Sequence, residues 1–149
     1  MFKHILFPTD GSLLSSAALT KAALLAKLLG AKFTAMHVTG AYHPVFDSDG
    51  FVIPEIKTLR KRFEEEETAR ANKILEEAGK FAAGLRVDCT SVIATSDLPY
   101  RAIIEQAGKS GCDLIVMASH GRRGLEGVLI GSETQQVLTH SKVPVLVYR

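Results

Sequence analysis

The chain contains no tryptophan, two cysteines and little charge excess, with 18 lysines and arginines against 16 aspartates and glutamates and a formal charge of +2 over 149 residues. Cys89 and Cys112 belong to no C-x-x-C or Cys/His pairing, which excludes a disulfide framework and a zinc ribbon and leaves both as small buried residues. Basic residues are interspersed with acidic ones, so the electrostatic footprint of a nucleic-acid binder is missing. No apolar run approaches the ~20 residues of a membrane span, and no leader-like stretch precedes the first strand pattern. A soluble cytoplasmic protein with no nucleic-acid or membrane partner is expected. A chain of this length buries roughly 68–70% of its unfolded surface, so residues 1–149 are expected to form a single domain around one core.

What is present is an alternation of strand and helix patterns. His4-Ile5-Leu6-Phe7 and Leu114-Ile115-Val116-Met117 are continuous apolar runs, as expected of strands covered on both faces. After the first run, Ser12 is placed to cap a helix carrying Leu14, Ala18, Ala22, Leu25 and Leu29, and Gly30 stands where a helix ends. Phe33 to Val38 reads as a second strand with Phe33, Ala35 and His37 on one face, His37 being a satisfied interior histidine. Residues 39–54 hold Gly40, Pro44, Gly50 and Pro54 without a steady period, and loops this long in compact domains are usually functional or mobile.

A long helix follows from Glu55, with Ile56, Leu59, Phe63, Ile74, Leu75, Ala78 and Phe81 near one stripe. The clusters Lys57 to Arg62 and Glu64 to Glu67 read as a solvated, ion-paired face. Leu85, Val87, Cys89, Ser91 and Ile93 alternate as in an edge strand. Asp97 is expected to cap the next helix, with Pro99 in its first turn and Ile103, Ile104 and Ala107 facing inward. A helix over Ser132 to His140 and a strand over Val143 to Tyr148 complete the pattern.

Five strands with helical crossovers predict an open parallel α/β sheet with helices on both faces, a Rossmann-like arrangement. The two fully apolar strands belong in the centre and the alternating third at an edge, which gives the order 3-2-1-4-5. That order puts a topological switch point between strands one and four, where such folds bind ligands beyond the carboxyl ends. Pro8-Thr9-Asp10-Gly11-Ser12 and Ala118-Ser119-His120-Gly121 stand there.

Two glycine patterns are decoys. Gly108-Lys109-Ser110 has Ile103 where a P-loop needs its first glycine, and Gly121 to Gly127 lacks the dinucleotide spacing and has only one strand after it. The useful pattern is wider: Gly121, Gly124 and Gly131 lead into the last helix, whose first amides belong to Ser132, Glu133 and Thr134. Free N–H groups at a helix start cradle anions, and Arg122 and Arg123 can add charge-assisted bonds worth about 1.5–3 kcal/mol each. Nucleotide phosphates are the expected anion. Gly131→Val is expected to block close approach with little effect on the fold, because the loop lies at the surface. His120 is read as structural, with no partner geometry for catalysis.

Pro8-Thr9-Asp10-Gly11-Ser12, the stretch from Asp113 through Gly131-Ser132, and Val143-Pro-Val-Leu-Val together resemble the universal stress protein family. Its ATP-binding members carry G-x-x-G-x(9)-G-[ST]. This sequence matches at Gly121 and Gly131-Ser132 and departs at Ala118, where the first motif glycine would stand. The resemblance implies ATP or AMP as ligand, with phosphates on Gly121 to Gly124 and Gly131 to Thr134. It implies Asp10 near the ribose and the nucleotide's Mg²⁺, and Pro8, Thr9 and the Val38 backbone around the base and sugar. Without it, Asp10 is equally suited to hydrogen bonding Ser12 or the turn. A methyl at position 118 is harmless if the backbone there is extended and crowds the phosphates if φ is positive.

Val143 to Tyr148 would be an exposed apolar sheet edge in a monomer, a hazard that pairing across a two-fold axis removes. The resemblance points the same way, to a homodimer. Two rivals to an ATP-binding regulator remain: a dimeric interaction module of the same fold without nucleotide, and a slow ATPase. No second carboxylate or lysine completes a phosphoryl-transfer site in the sequence, so the chain is read as a binding protein.

Overall fold

In the computed structural model, residues 1–44, 46, 49, 56–120 and 130–149 are described. Strands β1 (His4–Pro8), β2 (Lys32–Thr39), β3 (Cys89–Thr95), β4 (Leu114–Ala118) and β5 (Val145–Tyr148) alternate with helices α1 (Leu13–Leu29), α2 (Ile56–Gly84), α3 (Pro99–Ser110) and α4 (Ser132–His140). The sheet is parallel throughout and ordered β3-β2-β1-β4-β5, as the apolar patterning predicts. β1 and β4 are central because nearly every side chain along them is buried, which only a strand covered on both faces tolerates.

Alternate residues of the central strands feed two cores. Ile5, Phe7, Phe33, Ala35, Val116 and Ala118 point toward α1 and α2, while Leu6, Met36, Ile115 and Met117 meet Ile103 and Ala107 of α3 and Val137 of α4. α1 offers the sheet Ala18, Ala22 and Ala26, all fully buried; such short side chains let a helix lie close to the strands. Phe7 and Phe33 stack beneath it, 5.9 Å between ring centres. The predicted ends of α1 hold: Ser12 Oγ accepts the Ser15 N–H at 3.2 Å, and Gly30 closes the helix at φ 61°.

Four expectations differ from the structure. Asp97 does not cap α3. Its carboxylate accepts the Ala41 N–H at 3.3 Å and bonds His43 Nε2 at 3.0 Å, and α3 begins on Leu98 and Pro99 without a side-chain cap. Leu59 and Phe81 are 47% and 37% exposed: Leu59 lies on the part of the 29-residue α2 that precedes its buried stripe of Ala71, Leu75, Ala78 and Ala82, and Phe81 stands beside that stripe instead of on it. In β3 the inward residues toward α3 are Val92 and Ala94, while Ser91 and Ile93 are exposed and Leu85 and Val87 precede the strand. β5 starts at Val145, since Val143 N–H is held by the Ser141 hydroxyl at 3.0 Å. The ion-paired face of α2 is as expected, with Arg60–Glu64 at 2.7 Å and Lys61–Glu65 at 3.8 Å.

At the amino end of the sheet, Asp113 locks β4 to β1. Its carboxylate accepts the Lys3 N–H at 3.0 and 2.8 Å and the His4 N–H at 2.9 Å, and its own N–H donates to His4 O at 3.0 Å. Burial pushes the Asp113 carboxyl up, but the His4 and Lys3 amides outweigh it and hold the group below its ordinary range.

Candidate functional site

The site begins where β1 and β4 part. Their ladder pairs Ile5 with Leu114 and Leu6 with Ile115, and goes no further. Both strands nevertheless run on, each paired only on its outer side: Phe7 and Pro8 with Ala35 and Met36, and Met117 and Ala118 with Val147 and Tyr148. The cause is chemical. Backbone groups along a strand alternate sides; His4 O faces Asp113 on the β4 side, and Thr9 N–H faces Met36 on the β2 side. Residue 8 therefore faces β4, and as proline it has no N–H to give. Across the gap, the Ala118 carbonyl is taken by the Thr134 hydroxyl at 3.0 Å. A crevice results at the predicted switch point, with Pro8 to Asp10 on one wall and Ala118 to His120 on the other.

The β1 wall is a braced turn. Thr9 N–H donates to Met36 O at 2.8 Å. Thr9 Oγ1 pairs with Ser15 Oγ at 2.8 Å and accepts the Gly11 N–H at 3.2 Å. Asp10 Oδ1 accepts the Ser12 N–H at 3.0 Å, an Asx turn that fixes the direction of the carboxylate. Gly11 has φ 72°, and a Cβ there would stand 2.8 Å from Ile74 Cγ1 of α2, so the turn requires glycine twice over. His37 is an interior histidine as expected, 6% exposed, with Nδ1 2.7 Å from Thr9 O. Val38, next along β2, stands half-buried beside the α3 core.

The β4 wall carries the start of α4. Ser119, 1% exposed, accepts the Gly131 N–H at 2.7 Å through its carbonyl, and its hydroxyl lies 3.1 Å from His120 Nδ1. Gln135 N–H is the first to close an α4 bond, onto Gly131 O at 2.9 Å, so the amides of Ser132, Glu133 and Thr134 precede the helical ladder. Glu133 turns its carboxylate away, accepting the Tyr100 N–H at 2.9 Å in the first turn of α3. It supplies there the acidic partner that the sequence assigns to Asp97.

Ala118 lies within β4 and is not among the residues of positive φ; its methyl packs in the α1-side core. Gly131 is not a free surface position: an added Cβ would meet His120 Cα and Cβ at 3.1 Å and Ser119 O at 3.4 Å. The premise that Gly131 lies free at the surface is therefore corrected: a side chain there needs His120 to give way. Gly121, Arg122, Arg123 and Gly124 lie outside the described residues.

Sequence reasoning missed Ser15, Glu133's side-chain role and the His37–Thr9 bond, whose partners are identifiable only once strands and helices are in place. Among the described residues, no group of three or more His, Cys, Asp or Glu could hold a metal ion, and no helix is long and apolar enough to cross a membrane. A hollow of about 390 Å³ lined by Thr39, Tyr42, Phe63, Glu67 and Thr95 lies at the carboxyl ends of β2 and β3.

The sequence model of the universal stress protein family matches residues 1–149. Universal stress protein YxiE of Bacillus subtilis is 35% identical over 154 aligned residues, covering 100% of each chain. Universal stress protein MJ0577 of Methanocaldococcus jannaschii is 31% identical, covering 100% of this chain and 96% of that protein. The structure of UspA from Lactobacillus plantarum superposes with a TM-score of 0.83 at 26% identity, covering 99% of this chain and 97% of that one. At lower identity the fold recurs in an Archaeoglobus fulgidus universal stress protein in complex with dAMP (16%, TM-score 0.71, covering 100% and 98%) and an Arabidopsis thaliana family protein with AMP bound (18%, 0.65, covering 97% and 90%). By a match over its whole length and these relatives, this chain belongs to the universal stress protein family.

Proposed function

We propose that the chain binds ATP, with its Mg²⁺, in the crevice between β1 and β4, and acts as a nucleotide-responsive regulatory protein of the stress response in the cytoplasm. The observation that carries this reading is the parting of the two central strands after Leu6 and Ile115, beside the first amides of α4. Free helix-start amides favour an anion by about 0.3–1 kcal/mol each way of approach, up to ~2 when partly buried. The amides of Ser132, Glu133 and Thr134 would meet phosphate oxygens, joined by Gly121, Arg122, Arg123 and Gly124. Ser119 and His120 would line the same wall, with Ser119 O holding the Gly131 N–H at the start of α4. Pro8, Thr9 and the Val38 backbone would frame base and ribose, and Asp10 would face the ribose and the metal carried by the phosphates. Extended backbone at Ala118 fits this reading, since its methyl is spent in the core. Family members of the same fold with AMP or dAMP support an adenine nucleotide as the ligand class.

The test is titration of the purified protein with Mg·ATP, together with mass spectrometry of any nucleotide that co-purifies. Saturable binding at or below millimolar ATP is expected; none at that concentration sinks the proposal. In that event the second reading, a nucleotide-free interaction module, gains ground, and the observation favouring it is alanine in place of the first motif glycine. We further propose that residues 1–149 form one domain that pairs as a homodimer through Val143 to Tyr148, where Leu146 is 48% exposed. Light scattering at micromolar concentration should give the mass of two chains; a monomer mass rejects the pairing.

A further inference from the structure

Every polar group of Thr9 is engaged within the protein. Its N–H goes to Met36 O, its hydroxyl to Ser15 and Gly11, and its carbonyl to His37 Nδ1 at 2.7 Å. A carbonyl only accepts, so Nδ1 of His37 carries the proton. The Thr9 carbonyl and the Asp10 N–H belong to one rigid peptide plane. A donor that holds the carbonyl therefore fixes that plane, and with it the direction in which Asp10 enters its Asx turn.

His37 is well placed for this. It lies on the same face of β2 as Phe33 and Ala35, is 6% exposed, and follows Met36, whose carbonyl holds the Thr9 N–H. Thr9 is thus gripped from β2 on both sides of its α-carbon, by a main-chain acceptor and a side-chain donor. The ring provides reach: adjacent strands lie about 4.8 Å apart, and position 37 must carry a donor across to the end of β1. A hydrophobic residue of similar size would fill the space and leave the Thr9 carbonyl without that donor.

The geometry points to His37 as a positioning residue of the crevice. It touches no ligand itself; it sets the Thr9–Asp10 peptide and so the placement of Asp10. The inference rests on the nucleotide reading for its effect on binding, but its effect on the turn stands without it.

Three proteins test it: wild type, His37→Asn, whose amide can donate from near the position of Nδ1, and His37→Leu, which cannot donate. Titration with Mg·ATP should show His37→Leu weakened about tenfold or more, the factor equivalent to ~1.4 kcal/mol. His37→Asn should stay within about threefold of wild type, since one donor replaces another. Wild-type affinity in His37→Leu, or an equal loss in both variants, overturns the inference. If wild type itself binds no ATP, the nucleotide reading fails separately, and amide exchange decides the positioning role: faster exchange at Gly11 and Ser12 in His37→Leu than in His37→Asn sustains it, and equal exchange overturns it. If His37→Leu does not fold, ¹⁵N spectra of the wild-type ring decide: a protonated Nδ1 with near-native titration of His37→Asn sustains the role, and an unprotonated Nδ1 overturns it.

Discussion

β1 and β4 meet at one end and part at the other, and the two ends are built in opposite ways. At the amino end, Asp113 collects the amides of Lys3 and His4 and returns its own N–H to His4, so the strands are sewn shut. At the carboxyl end, Pro8 has no N–H to offer and Thr134 takes the Ala118 carbonyl, so the same strands stand apart. One end uses its backbone groups on the partner strand. The other assigns them elsewhere and leaves the strands unpaired. Closure is the default for adjacent parallel strands, and the opening needs a specific residue on each side.

The largest break in that comparison should come from Gly131→Val. A valine Cβ would press on the His120 backbone at 3.1 Å, displacing α4 from the end of β4. We expect loss of detectable Mg·ATP binding in calorimetry and a stability loss of about 1–3 kcal/mol by urea denaturation. A variant as stable as wild type would show that the α4 start adjusts freely. Gly11→Ala comes next, because left-handed backbone costs a side chain about 1–2 kcal/mol before its contact with Ile74 is counted. An unchanged urea midpoint would mean that the β1 turn can relax.

The closed end should respond to pH instead of to ligand. Asp113 has a folded pKa held below its ordinary value, with burial opposing and the His4 and Lys3 amides prevailing. Its contribution is therefore full above about pH 4, the unfolded range, and is lost as pH falls through the lower folded value. Asp113→Asn should be less stable by about 1 kcal/mol at pH 7, with the two stability curves converging in acid and ATP affinity unchanged. Parallel curves would contradict this account. The smallest effect belongs to Asp97→Asn. The His43 bond lowers the Asp97 carboxyl most, against burial, with help from the Ala41 amide, but the pair is exposed to solvent. Its melting temperature should not separate from wild type in replicate scans.

Much of this was legible in the sequence, and for identifiable reasons. Two unbroken apolar runs mark the central strands, because only double coverage tolerates them, and strand order and crevice position follow from that. Pro8 was visible as a site residue, yet its effect on the ladder depends on which side residue 8 faces, and that is fixed by register. Asp97 and Glu133 show the limit most clearly. Local spacing favours Asp97 for the start of α3, but the carboxylate that reaches Tyr100 comes from 33 positions away, a distance no capping pattern encodes. The exposure of Leu59 has a similar origin: period alone cannot tell how far a long helix outruns the sheet beneath it. Gly131 was recognised for its spacing, while its contact with His120 emerged only from packing.

The join between His4 and Asp113 spans 109 positions of sequence, and it bears on the order in which the molecule matures. Loop closure over such a distance is entropically costly and comes late in folding. A growing chain that has produced β1, β2 and β3 has one wall of the crevice and nothing opposite it. The second wall and the α4 amides are added only with the final third of the chain. Under the proposed nucleotide reading, the site is therefore complete only near the end of synthesis.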